Sequence, residues 1–281
     1  MITINLMGGL GNQLFQIFTL INLSFIKRIP FKIPLNKRDL VSPHDNTCLR
    51  PTYWDSIFKS IKMFTIQFEP PCQILKEPSF LFFSLENIEM PNNINIKLFG
   101  YFQSYKYFEK NFENIKKLLK LNEQQTVIKN NNISYFSDEI VSLHFRIGDY
   151  KNLNNIHPIL NIEYYINAIN FINNKKKIKN ILCFGEQRDY KEITEKINKL
   201  KEIYPDIEFI KCKENLEDWE QLLLMSNCND NIIANSSFSW WAAYLNNNPE
   251  KIVCYPSIWF GSAFKNDTRD LFPENWNKIE L

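Results

Sequence analysis

Three segments of the chain carry residue types at spacings that could do chemistry. The first is Gly8-Gly9-Leu10-Gly11-Asn12-Gln13. A glycine-rich turn from strand into helix brings backbone N–H groups around Gly9, Gly11 and Asn12 close to an anionic or sugar ligand. A tight turn without a ligand is the plain alternative. A dinucleotide fingerprint fails here. Counting from Gly9, Leu14 stands where the third glycine belongs, and no acidic residue lies near position 30.

The second segment is His144-Phe145-Arg146-Ile147-Gly148-Asp149-Tyr150. Strand alternation turns His144 and Arg146 to one face and Val141, Leu143, Phe145 and Ile147 to the other. An arginine at the end of a buried strand needs an anionic partner. A diphosphate gripped bidentately would supply one, and Asp149 would stand at the same mouth. The competing arrangement is an internal Arg146–Asp149 ion pair that closes the loop beside a satisfied His144. The third segment runs Asn235-Ser236-Ser237-Phe238-Ser239-Trp240-Trp241-Ala242-Ala243-Tyr244-Leu245. Ser236 or Ser237 suits a helix N-cap, where hydroxyls and free N–H groups cradle an anion. An ordinary capped helix remains the alternative, and the aromatic residues fit a core better than a stacking platform.

The elements that must position these segments can be read from periodicity. Ile2, Ile4 and Leu6 alternate as a strand, and Leu14, Phe18, Ile21 and Phe25 place one apolar face on a helix over 13–27. From about 30 to 110 prolines at 30, 34, 43, 51, 70, 71, 78 and 91 predict short strands and loops. The second half predicts strands over 141–147, 180–184, 207–212, 231–234 and 251–255. Helices over 162–173, 189–202, 216–227 and 237–246 lie between them. Such alternation implies βαβ units on a parallel sheet. The expected fold class is α/β, two Rossmann-like domains over 1–135 and 136–281 facing across a cleft where a nucleotide would bind.

Composition narrows the function classes. Thirty-three basic and 31 acidic residues leave a net charge of +2, which gives no electrostatic case for nucleic acid. The six cysteines lack C-x-x-C spacing and there are only three histidines, so reduced, mostly buried thiols are expected rather than a metal site. Leu14 to Ile26 is interrupted by Gln16, Thr19, Asn22 and Ser24. Neither a signal peptide nor a membrane span is expected there, and a cytoplasmic location follows as an expectation. No D-x-D pair stands ready to clamp a divalent ion on a diphosphate, and neither a P-loop nor a G-x-S-x-G nucleophile turn is present.

Jointly, the three segments resemble glycosyltransferase family 11, the α-1,2-fucosyltransferases. Residues 8–13 match the family's opening Gly-Gly-Leu-Gly-Asn-Gln, 144–150 are similar to its His-x-Arg-Arg-x-Asp-Tyr, and 235–245 match its Asn-Ser-(Ser/Thr)-Phe-Ser-Trp-Trp-(Ala/Gly)-Ala-Tyr-Leu motif. Gly100-Tyr101-Phe102-Gln103-Ser104, Tyr164-Tyr165 and Trp259-Phe260-Gly261 agree in order. The resemblance implies a GT-B fold and inverting, metal-independent transfer of L-fucose from GDP-β-L-fucose to the 2-hydroxyl of a terminal galactose or similar sugar. GDP-fucose would be a donor substrate, with no cofactor, and the partner a galactose-terminated glycan. It also implies that Arg146 holds the β-phosphate with His144 beside the nucleotide. Asn235, Ser236, Ser237 and Phe238 would line the diphosphate, and Asn12, between Gly9 and Gly11, would sit near the fucose. Asp149 is the candidate base, and a structural Asp149 is its alternative. Two departures stand out. Ile147 replaces the family's second arginine, and Glu186 in Phe184-Gly185-Glu186-Gln187 stands where relatives often carry a ribose-contacting acid. Another GDP-sugar transferase and a non-catalytic glycan- or sugar-nucleotide-binding protein remain the other expectations. Animal members of the family carry a membrane anchor, and since no span is expected in this sequence, the expectation is a cytosolic enzyme of microbial or viral type, with peripheral membrane association as its alternative.

Overall fold

The expected opening strand and helix form as β1 (Ile2–Ile4) and α1 (Leu10–Lys27) in a computed structural model that describes residues 1–35, 40–41, 49–90, 93–264 and 266–281. Helix α1 starts three positions before the expected 13, so Gly11 and Asn12 lie inside its first turn and Gly9 is the N-cap. Short strands follow, as the prolines predict: β2 (Ile33–Pro34), β3 (Leu40–Val41), β4 (Leu49–Arg50), β5 (Thr65–Ile66), β6 (Cys72–Lys76) and β7 (Asn95–Phe99). Of these, β6 and β7 join β1 in a 3-stranded parallel sheet of order β1-β7-β6. Helix α1 packs against β1, and its Leu14, Phe15, Phe18 and Ile21 are fully buried.

Two helices, α2 (Phe112–Leu118) and α3 (Leu121–Asn131), precede the strands of the second half: β8 (Ile140–His144), β9 (Asn180–Phe184), β10 (Glu208–Lys211), β11 (Asp230–Ile232), β12 (Val253–Pro256) and β13 (Asn277–Ile279). Between them lie α4 (Ile162–Asn173), α5 (Tyr190–Ile203), α6 (Asp218–Met225) and α7 (Ser237–Leu245). All six strands are parallel in the order β10-β9-β8-β11-β12-β13. The order runs outward from β8 in one direction and from β11 in the other, the doubly wound arrangement whose switch point lies between those two strands.

Contacts divide the chain into Met1–Gln124 with Asp267–Pro273, and Gln125–Asn266 with Glu274–Leu281. Each unit is α/β with a parallel sheet. The division falls before the expected residue 135 because Gln125 is buried in the second unit, its amide donating to Ser226 Oγ (2.7 Å) and to the Leu245 carbonyl (3.0 Å). Residues 267–273 return to the first unit, which the strand pattern does not reveal. Cys183, Cys212, Cys228 and Cys254 are buried free thiols and Cys72 a half-buried one, while Cys48, Pro43 and Pro91 lie outside the described residues. Among the described residues no helix is long and apolar enough to cross a membrane.

Candidate functional site

The second unit gathers two of the three sequence segments at its switch point. β8 pairs with β9 in a register that sets His144 beside Phe184, and with β11 so that Leu143 stands beside Ile232. The loops 145–149, 185–189 and 233–237 therefore leave adjacent strands at the same carboxyl edge. Alternation persists as expected. Val141, Leu143, Phe145 and Ile147 all belong to the core cluster beneath α4 and α5. The strand proper ends at His144, three residues earlier than expected, although the Phe145 N–H still bonds to the Phe184 carbonyl at 2.9 Å.

Arg146 projects from this edge with a side chain only 16% exposed. Its guanidinium pairs with Asp149 and with Glu186, and it lies 4.7 Å from the centre of the Tyr150 ring. Burial works against its charge, but Tyr150, Glu186 and Asp149 together outweigh burial and raise its pKa. The internal Arg146–Asp149 pair posed as the alternative thus exists here, and Glu186, expected at a ribose, pairs with Arg146 and with Arg188 (2.6 Å). Arg146 Nε is buried with no hydrogen-bond partner.

His144 is 5% exposed, its ring 5.5 Å from that of Phe238. Burial, reinforced by the Arg146 charge, pushes its pKa down to about 3, so the imidazole is neutral. Its Nδ1 has no hydrogen-bond partner. Neutral His144 can give or take a single hydrogen bond at the mouth without adding charge.

Helix α7 opens at the end of β11. Ser236 is its N-cap, and its Oγ accepts the Phe238 N–H at 3.3 Å. Asn235 is 1% exposed and donates to the carbonyls of Pro158 (2.9 Å) and Trp259 (3.3 Å), while its Oδ1 has no partner. Ser237 is the first helical residue and is half-buried, as is Phe238. Trp240 and Trp241 are fully buried, and Trp240 stacks on Tyr244 at 4.7 Å, which makes them core as expected. His144, Arg146 and Asn235 thus each leave one buried polar atom unsatisfied at the ends of adjacent strands, where α7 begins with no acidic residue in its first turn, an arrangement suited to a polar anionic ligand.

Gly148 has φ +37°, and a Cβ there would stand 2.7 Å from Glu186 Oε1. Its N–H donates to Asp189 at 2.6 Å, and Asp189 also pairs with Lys151 at 3.1 Å. Sequence reasoning missed Asp189, which lies 41 positions from the glycine it holds and belongs to no local motif.

In the first unit, Gly8 has φ +73°, and a Cβ on it would stand 2.5 Å from Asn12 Nδ2. Gly9 has open space where its Cβ would be, and Gly11 is buried in the first turn. Gln13 holds the turn by donating to the carbonyls of Gly8 (3.0 Å) and Pro51 (2.9 Å). Asn12 Oδ1 accepts from Gln103 Nε2 at 2.7 Å. Gln103 was visible in the sequence only as part of a similarity. Among the described residues no group of three or more His, Cys, Asp or Glu could hold a metal ion.

Known proteins resemble the chain along its whole length. It is 28% identical over 98% of its length, and 97% of the relative's, to an alpha-1,2-colitosyltransferase of Escherichia coli. It is 25% identical over 100% of its length, and 79% of the relative's, to a galactoside 2-alpha-L-fucosyltransferase of Caenorhabditis elegans. Among solved structures it is similar to NodZ alpha-1,6-fucosyltransferase co-crystallized with GDP, at a TM-score of 0.49 and 13% identity over 87% of this chain and 92% of that one. The sequence model of Glycosyl transferase family 11 matches residues 1–280, and the chain belongs to that family.

Proposed function

We propose that the protein transfers a 6-deoxy sugar, L-fucose in the first instance, from its GDP-linked donor to the 2-hydroxyl of a galactose-type acceptor, with inversion and without a metal. The observation that carries this is that Arg146 and the α7 N-terminus follow the adjacent strands β8 and β11 at the same carboxyl edge, the switch point of the sheet. When the bond from sugar to diphosphate breaks, negative charge grows on phosphate oxygens. A fixed guanidinium and a helix terminus aimed at that charge stabilise it more in the transition state than in the bound donor. Asp149 and Glu186 neutralise Arg146 as the structure stands, and donor oxygens would take their place. Glu186, once displaced, is the candidate ribose contact. Asn12 is assigned to the transferred sugar, with Gly9 and Gly11 providing the close turn around it. Asp149, once released, is the candidate base on the acceptor hydroxyl, a small role if the transition state is loose and oxocarbenium-like.

A second donor has its own support. The relative matched over 98% of this chain is named for colitose rather than fucose. The deciding experiment follows GDP release from GDP-fucose and from GDP-colitose, with and without a panel of galactosides, and identifies the linkage formed. Acceptor-dependent release with an α-1,2 product supports the proposal, and the preferred donor settles the sugar. Donor binding with no release on any acceptor would favour a binding protein. Repeating the assay in excess EDTA should leave the rate unchanged. Loss that Mn²⁺ or Mg²⁺ restores would overturn the metal-free mechanism.

A further inference from the structure

Glu77 lies just past the end of β6, in none of the sequence motifs. Its Oε2 accepts the backbone N–H groups of Tyr101 (2.8 Å) and Phe102 (3.0 Å). Phe102 is fully buried with φ +53°, in the left-handed region where a bulky side chain is strained unless its surroundings hold it there. Gly100 comes so close that a Cβ on it would overlap Glu77 Cβ and Oε2. The residue after the strained position is Gln103, whose amide reaches Asn12 Oδ1. Glu77 Oε1 is buried without a partner, and burial, opposed in part by the Phe102 and Tyr101 amides, pushes the carboxyl pKa up to about 6. A buried carboxyl is costly unless the oxygen that is paired holds something that a side chain without an acceptor there would not.

We infer that Glu77 is a positioning residue: by holding the Tyr101–Phe102 amides it keeps the turn left-handed and sets Gln103 against Asn12, fixing the pair assigned to the transferred sugar. The assignment of Asn12 to the sugar rests on the function proposed above. The geometry of the clamp does not.

The test compares Glu77→Gln, Glu77→Asp and Glu77→Ala. Gln keeps an acceptor oxygen at the same reach, Asp keeps the charge one methylene short, and Ala keeps neither. Transfer should fall by roughly 10- to 100-fold in kcat for Ala and Asp, the scale of a small misplacement at a reacting centre, with Gln within about threefold of wild type. Binding of GDP alone should be unchanged, because Arg146 and residues 236–238 belong to the other unit. If Glu77 acts through Gln103, Glu77→Ala/Gln103→Ala should be no slower than Gln103→Ala. Fully additive losses, wild-type kcat in folded Ala and Asp variants, or a Gln variant as slow as Ala would each overturn the inference. Amide exchange at Tyr101 and Phe102 needs no substrate and should quicken in Ala and Asp but not in Gln. Were the wild type inactive with every donor and acceptor, the function proposed above would fall, and amide exchange would still decide the clamp.

Discussion

Arg146 holds its guanidinium between two carboxylates and an aromatic face, and the proposed mechanism asks more of it than of any other side chain. Its loss should depress kcat more than donor affinity, because the charge it meets grows as the leaving group departs. Arg146→Ala should lower kcat by roughly 10²- to 10³-fold, and Arg146→Lys should recover little, since an ammonium cannot reproduce a planar two-pronged grip. Melting temperatures must be compared too, because removing Arg146 takes an ion-pair partner from both Asp149 and Glu186. An Ala variant with both wild-type melting and wild-type transfer would remove Arg146 from the mechanism. His144 makes a prediction of a different kind. Its folded pKa of about 3 lies below the ordinary 6.5. Between those values the unfolded chain binds a proton that the folded one does not. Stability therefore falls as pH drops through that window, by up to about 1.4 kcal/mol per pH unit. Glu77, with its raised pKa, acts in the opposite sense, gaining stability as pH falls through about 6. Comparing wild type with His144→Asn cancels the Glu77 contribution. Urea denaturation between pH 7 and 4 should give the variant the shallower slope, and equal slopes would show that His144 titrates normally.

At the scale of elements, β8 decides which side chains reach the site. Ile147 occupies the position of the family's second arginine, yet it is 3% exposed and lies in the core cluster with Phe145. Ile147→Asp should therefore unfold the protein, at a cost of several kcal/mol for an unpaired buried charge. Ile147→Val should cost about 0.5–1.5 kcal/mol with turnover nearly unchanged. A well-folded Ile147→Asp variant would show that position 147 faces solvent or ligand. The alternation behind this argument is legible in the sequence because β8 is buried on both faces and flanked by helices of regular period. β9 to β12 and α4 to α7 are legible by the same alternation of strand and helix periods, with observed ends within a few residues of the expected ones. β13 is not legible, since Asn277–Ile279 is a three-residue edge strand with one buried apolar side chain. The first unit hides more, because β1, β7 and β6 pair across long separations and the Glu77 clamp joins residues 24 and 25 positions apart. Motif spacing locates Arg146 and Ser236. It cannot locate Asp189 or Glu77, which hold backbone amides 41 and 24–25 positions away.

At the scale of the molecule, the chain does not complete one unit before starting the other. After β12 it returns to the first unit over Asp267–Pro273 and ends in the second with Glu274–Leu281. Asp270 anchors the returning segment. Its carboxylate accepts the Phe82 N–H (3.1 Å) and Lys106 Nζ (2.6 Å), and its carbonyl accepts Ser104 Oγ (2.5 Å). The Lys106 pair is partly exposed and contributes little by itself, whereas the Phe82 amide loses its acceptor when the carboxylate is removed. Asp270→Ala should destabilise the first unit by about 1–3 kcal/mol. Asp270→Asn, which keeps one acceptor oxygen, should cost less. Although Asp270 stands only 11 residues before Leu281, the faster amide exchange should appear at Phe82 and through α1 and β7, leaving β8 to β12 protected as in wild type. Truncation after Pro273 should do the reverse, because it removes β13 and strips the pairing edge of β12 while Asp270 stays in place. If Asp270→Ala instead loosened β8 to β12 as much as β1 and β7, the returning segment would not be part of the first unit, and the C-terminal residues would all serve the sheet that carries Arg146.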